Sequence, residues 1–133
     1  AWLHTDAAAI DDVIAMRERL ALASDAARIG LFERDLETGI GVWDRTMFVL
    51  FGADPAAGTP DRISGAALID PRDRDRMCAE FDELRAAPVG TTYQTEFRTL
   101  RPGGGARHIE ARGRVLAGRD GRGRRLIGVM IDV

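Results

Sequence analysis

The sequence predicts an α+β fold, with helices gathered on one face of a five-stranded antiparallel sheet. Two observations carry this. The last third, Thr91 to Val133, holds three strand-like runs, TTYQTEFRTL, ARHIEARGRVLAG and RRLIGVMIDV, joined by the Gly-rich turns RPGGG and RDGRG. Ahead of them the order is one long helix, two short strands, short helices and a longer helix. The last run, Leu126 to Val133, is apolar on both faces, whereas a strand in a small antiparallel sheet usually alternates. Both of its faces are therefore expected to be covered, one by a core or cavity and the other by a docking surface.

The elements follow in order. Asp6 to about Ala27 reads as one amphipathic helix, capped by Thr5 or Asp6 and free of Gly and Pro, with Gly30 ending it. Ile10, Val13, Arg17 and Leu20 follow an a/d spacing, widened by Ile14 and Ala21. A lone helix of this length is marginal in water, so the stripe needs a partner. Either the outer face of the sheet or the same helix of a second chain would serve. Leu31 to Leu36 and Gly41 to Trp43 are short strands around a turn at Asp35 to Gly39. Asp44 caps a short helix, Arg45 to Phe51, which Gly52 stops. Ala53 to Arg62 is loop chemistry, and Ile63 to Ile69 fits a single helical turn. Asp70-Pro71 opens a longer helix running to about Ala87, with Asp73 in its first turn and Met77, Phe81 and Leu84 on one face. Residues 1–24 are read as a linker and dimerisation helix, and residues 25–133 as one domain.

Composition narrows the function classes. At 133 residues the chain is long enough to bury a core. No apolar run approaches the roughly 20 residues of a membrane span, and no signal-peptide pattern appears. A single cysteine, Cys78, suits a reducing, cytoplasmic compartment. The net charge of −2 hides an asymmetry: residues 1–97 carry 10 Arg against 18 acids, and residues 98–133 carry 9 Arg against 3. The basic hairpin lacks aromatic interleaving, so it reads as a solvated strand face and not as a nucleic-acid surface. The glycine-rich turns lack the Gly-Lys-Ser/Thr end of a phosphate-binding loop. Neither a metal-ligand spacing nor a nucleophile–base pair is visible, so an enzyme is not expected.

With these words in this order, the chain from about residue 22 onward resembles a PAS domain. IGLFERDLETGIGVWDRTMFVLFG is similar to the family's first hairpin and following helix. ALIDPRDRDRM resembles the His-Pro-Asp-Asp-Arg segment of one large bacterial subgroup, although Ile69-Asp70 stands where that subgroup often has Val-His. TEFRTLRPGG and ARHIEARGRV resemble its Glu-x-Arg strand, turn and next strand, with His108 where Trp is common. RRLIGVMIDV is similar to the family's last strand. The resemblance implies a sensor or relay domain of a larger bacterial signalling protein. It implies a homodimer, an output domain such as a kinase or cyclase in the same chain, and either a small molecule between sheet and helices or no ligand at all.

Cofactors of the family are disfavoured by position. Haem-binding members place a His on the long helix, but the two histidines here are His4 and His108. Alignment through Pro71 puts Gly65 where flavin photosensors carry their Cys and Met130 where they carry a Gln. A coumaroyl-linked Cys is equally unsupported.

The candidate cavity residues are Arg98, Met130, Ile109, Met77, Phe81 and Trp43, although Met77, Phe81 and Trp43 read first as core. Cys78 reads as a small buried or half-buried hydrophobe. Strict alternation sends Tyr93 and Phe97 to the core. The resemblance implies the reverse, with Arg98 facing the cavity, partnered by Glu96 or an acidic ligand, and Phe97 on the outer face; that reading is adopted. The same alignment turns Met130, Gly128, Ile109 and Ala111 inward. It leaves Ile127, Val129 and Ile131 outward, to dock with Ile10, Val13 and Leu20 of the helix or with a second chain.

Overall fold

A computed structural model describes residues 2–101 and 103–133, with side chains described from residue 7 onward apart from residue 102; the side chain of His4 lies outside the described residues. Helix α1 (Trp2–Ala27) leads to strands β1 (Ile29–Asp35) and β2 (Gly41–Trp43). Helices α2 (Arg45–Phe51), α3 (Arg62–Ala66) and α4 (Pro71–Arg85) follow, then strands β3 (Thr92–Leu100), β4 (Ala106–Ala117) and β5 (Arg124–Asp132). The strands form one antiparallel sheet in the order β2-β1-β5-β4-β3. The last strand is therefore central, paired with β1 on one side and β4 on the other. Among the described residues no helix is long and apolar enough to cross a membrane.

Local chemistry explains most boundaries. The Asp44 carboxylate accepts from Met47 N at 3.0 Å and starts α2, and Gly52, at φ 64°, ends it in the left-handed region that glycine tolerates. Asp61 and Ser64 form a reciprocal capping box on α3. Asp70 caps α4, with Pro71 in its first turn, where a missing N–H costs nothing. Two expectations at α1 fail. The helix starts at Trp2, ahead of Thr5 and Asp6, because Leu3 and His4 contain no breaker. It ends through Arg28, at φ 55°, and not through Gly30. Gly30 lies within β1, where a Cβ would sit 2.6 Å from Met47 Sδ, so its role is close packing against α2.

The core lies between the inner sheet face and α2 to α4. Phe32, Met47, Leu50, Phe51, Met77, Leu84, Phe97, Ile109, Val115 and Leu126 are all buried there. Each such side chain contributes about 1.5–3 kcal/mol relative to exposure. Helix α4 is also tied to the β3 edge by polar contacts. Arg76 donates to Thr95 Oγ1 at 2.9 Å, and Tyr93 donates its hydroxyl to Glu80 at 2.8 Å. Burial, reinforced by that carboxylate, pushes the Tyr93 phenol well above its ordinary range. The edge backbone itself is engaged as well: Glu96 O accepts from Arg76, the Arg98 N–H donates to Asp73, and Arg98 O accepts from the Asp70 N–H, which leaves less of it to pair with another chain.

Candidate functional site

A cavity of about 70 Å³ lies between the sheet and the helices. Phe32, Arg34, Trp43, Phe97 and Met130 line its sheet side, and Phe51, Met77, Cys78 and Phe81 its helical side. The aromatic wall is continuous: Trp43 stacks on Phe51 with centroids 4.7 Å apart, and Phe51 meets Phe97 at 5.9 Å. Such rings supply large apolar contact with fixed geometry. Asp61 and Arg62 stand at the more exposed end, where Arg62 pairs with Asp82 and links α3 to α4.

The expected cavity residues separate in the structure. Trp43, Met77, Phe81 and Met130 line the space. Ile109 is fully buried in the core and does not line it. Arg98 is a correction: it lies outside the cavity, and Phe97, 3% exposed, points in. Simple alternation along β3 prevails, with Thr95, Phe97 and Thr99 buried and Glu96 exposed. The reason is the edge position of β3, which lets an outward arginine curl back to the helix layer. Arg98 Nε and one terminal nitrogen each donate to the Asp73 carboxylate at 2.8 Å, and its backbone N–H donates there too, at 2.8 Å. This fork-to-carboxylate pairing meets the guanidinium's needs without Glu96 or a ligand. The hydrogen bonds from Arg98, against the opposing effect of burial, hold the Asp73 carboxyl well below its ordinary value.

The buried arginine of the cavity wall is Arg34, which is not among the expected cavity residues. It is 9% exposed and shares the inner face of β1 with Phe32. Alternation from Phe32 would have found it. Burial draws its guanidinium below the ordinary value, and the charge of Asp61 opposes that.

The outer face of β5 carries Ile127, Val129 and Ile131, flanked through the β1 pairing by Ile29 and Leu31. Ile127 is exposed and its neighbours are half-buried. Helix α1 does not cover this face. Its residues Ile10, Val13, Ile14 and Leu20 are all more than half exposed, so the self-docking option is not realised within one chain. Among the described residues the helix is fastened near its end, where the Ser24 hydroxyl contacts both Ile29 O and Asp44 Oδ2 (2.8 Å to the latter). Asp44 thus caps α2 with one oxygen and holds α1 with the other. His108 is exposed on β4. The basic hairpin is partly neutralised, since Arg119 and Arg125 converge on Glu33 at 2.9 and 3.1 Å.

This architecture has known counterparts. A family model described as "PAS fold" matches residues 41–130, more than half of the chain. The chain belongs to the PAS family. The domain is 30% identical over 119 residues to a probable diguanylate cyclase, DgcE, of Escherichia coli K12; the match covers 89% of this chain and 10% of that protein. The PAS domain thus spans about a tenth of that relative's length. Among solved structures it resembles a sensory box histidine kinase/response regulator from Burkholderia thailandensis, at 29% identity and a TM-score of 0.62, covering 86% of this chain and 84% of that one. A domain of a putative light and redox sensing histidine kinase from Haloarcula marismortui matches at 19% identity and a TM-score of 0.67. That pair covers 87% of this chain and 98% of the other, and shares the fold.

Proposed function

We propose that the cavity is the input site of this PAS domain and that the outer face of β5, together with α1, is its output surface. The domain is a sensor and signal-relay module, as are the PAS segments of kinases and cyclases to which it is similar. One observation supports the division most: β5 places Met130 against the cavity while Ile127, Val129 and Ile131 form an uncovered apolar strip on the other side. Occupancy of the cavity would shift β5, and the strip would carry that shift to a second copy of the chain and on to an output domain in the same polypeptide. The domain itself is regulatory, with catalysis assigned to the output domain, and it works in the cytoplasm.

Ligand-free relay within a dimer is the second reading. It is favoured by the size of the cavity, about 70 Å³, against roughly 300 Å³ or more for usual small-molecule sites.

Native mass spectrometry separates the two. A small molecule retained by or titrated into the folded domain supports sensing, and an interior that admits none supports relay alone. Sedimentation of the chain lacking residues 1–22 tests the output surface. Weaker association than the full chain is expected, and an unaltered dimer would remove α1 from the interface.

A further inference from the structure

The cavity contains a buried cation whose surroundings are incomplete in charge. The Arg34 guanidinium donates to the carbonyl oxygens of Gly39 and Pro60, the latter at 3.2 Å. Both acceptors are neutral, and no carboxylate of the described residues forms an ion pair with it. A guanidinium has five N–H donors, so two carbonyl bonds leave others free. Asp61 acts on Arg34 through its charge but forms no ion pair with it; it is exposed, and its Oδ1 accepts from the Ser64 backbone N–H and hydroxyl. Arg62, at the same end of the cavity, is already paired with Asp82. The remaining walls are apolar, chiefly Phe32, Trp43, Phe51, Phe97, Met77 and Met130.

A buried charge without a counter-ion in contact is costly, and a planar carboxylate is the anion whose geometry fits the arginine fork. We propose that the cavity takes a small organic monocarboxylate, with its carboxylate on Arg34 and its hydrocarbon body against Trp43, Phe51 and Phe97. This assignment rests on the reading of the cavity as the input site. At about 10–15 Å³ for each water-sized group, the space of about 70 Å³ holds about five to seven of them, the size of a short-chain acid.

The test compares butyrate with butyramide, which match in shape and differ in charge, by titration into ¹⁵N-labelled protein. Butyrate is expected to shift the Arg34 Nε–H and Trp43 indole signals and to bind about tenfold or more tighter than the amide. Arg34→Met should bring the two affinities together. Arg34→Lys, which keeps the charge but loses the fork, should weaken butyrate and leave butyramide unchanged. Equal binding of acid and amide to the unmodified protein, or a preference that survives Arg34→Met, would overturn the carboxylate assignment while leaving small-molecule sensing intact. Cavity signals that respond to neither compound at tens of millimolar would overturn both. The acid–amide comparison needs no variant, so a failure of Arg34→Met to fold would not rescue the proposal.

Discussion

Phe97→Ala tests which way β3 faces. Phe97 is 3% exposed, and its ring lies 5.9 Å from that of Phe51. Truncating a buried phenylalanine typically costs about 3–5 kcal/mol. Because Phe97 already borders open space, fewer contacts are lost than at a fully enclosed position, which places the expectation at about 3–4 kcal/mol. For 133 residues, the unfolding entropy is about 0.28 kcal/mol/K, so the melting temperature should fall by roughly 10–14 °C. Urea unfolding followed by circular dichroism, with calorimetry alongside, measures both quantities. If Phe97 instead lay on the outer face, its removal would cost about 0.5 kcal/mol and lower the melting temperature by roughly 2 °C. A loss that small would refute the inward assignment and restore Arg98 as the cavity residue.

Gly30→Ala should destabilise the domain by about 1–3 kcal/mol through overpacking. The new Cβ would meet Met47 Sδ at 2.6 Å and Leu50 Cδ1 at 3.0 Å, and Met47 is fully buried. Denaturant unfolding reads this, and a loss under about 0.5 kcal/mol would mean that α2 yields easily. Asp73→Asn should be less stable than the parent at neutral pH. The folded Asp73 value is depressed, so its contribution is present above the unfolded value, near 3.9, and is lost as pH falls through the folded value. The gap between parent and variant should therefore hold from about pH 7 to 5 and narrow below about pH 4. A gap that is unchanged at about pH 3 would remove the Asp73–Arg98 contact as its source.

The elements were legible where short-range chemistry sets them. Asp44, Gly52 and Asp70-Pro71 mark helix ends with groups whose bonding needs are local, and the structure uses all of them that way. The run of β5 is apolar on both faces, so its inner face is assigned by the resemblance, and the buried Met130 and exposed Ile127 agree with that assignment. What was not legible depends on the third dimension. Arg98 was placed inward by resemblance, although only the edge position of β3 decides that an outward arginine can reach Asp73. Gly30 looked like a helix stop because its real neighbour, Met47, lies 17 residues away and meets it only after α2 folds onto β1. Arg34 was hidden by its type: a charged residue on a short strand reads as solvent-facing until the Gly39 and Pro60 carbonyls are brought over it.

The most direct test of the cavity as an input site uses the protein's four methionines. Met77 and Met130 line the cavity, Met47 is packed in the core beside it, and Met16 is exposed on α1. In methyl spectra of [methyl-¹³C]methionine-labelled protein titrated with butyrate, the Met77 and Met130 signals should move together and saturate at one affinity. Stationary Met77 and Met130 signals, or movement that begins at Met16, would contradict the account.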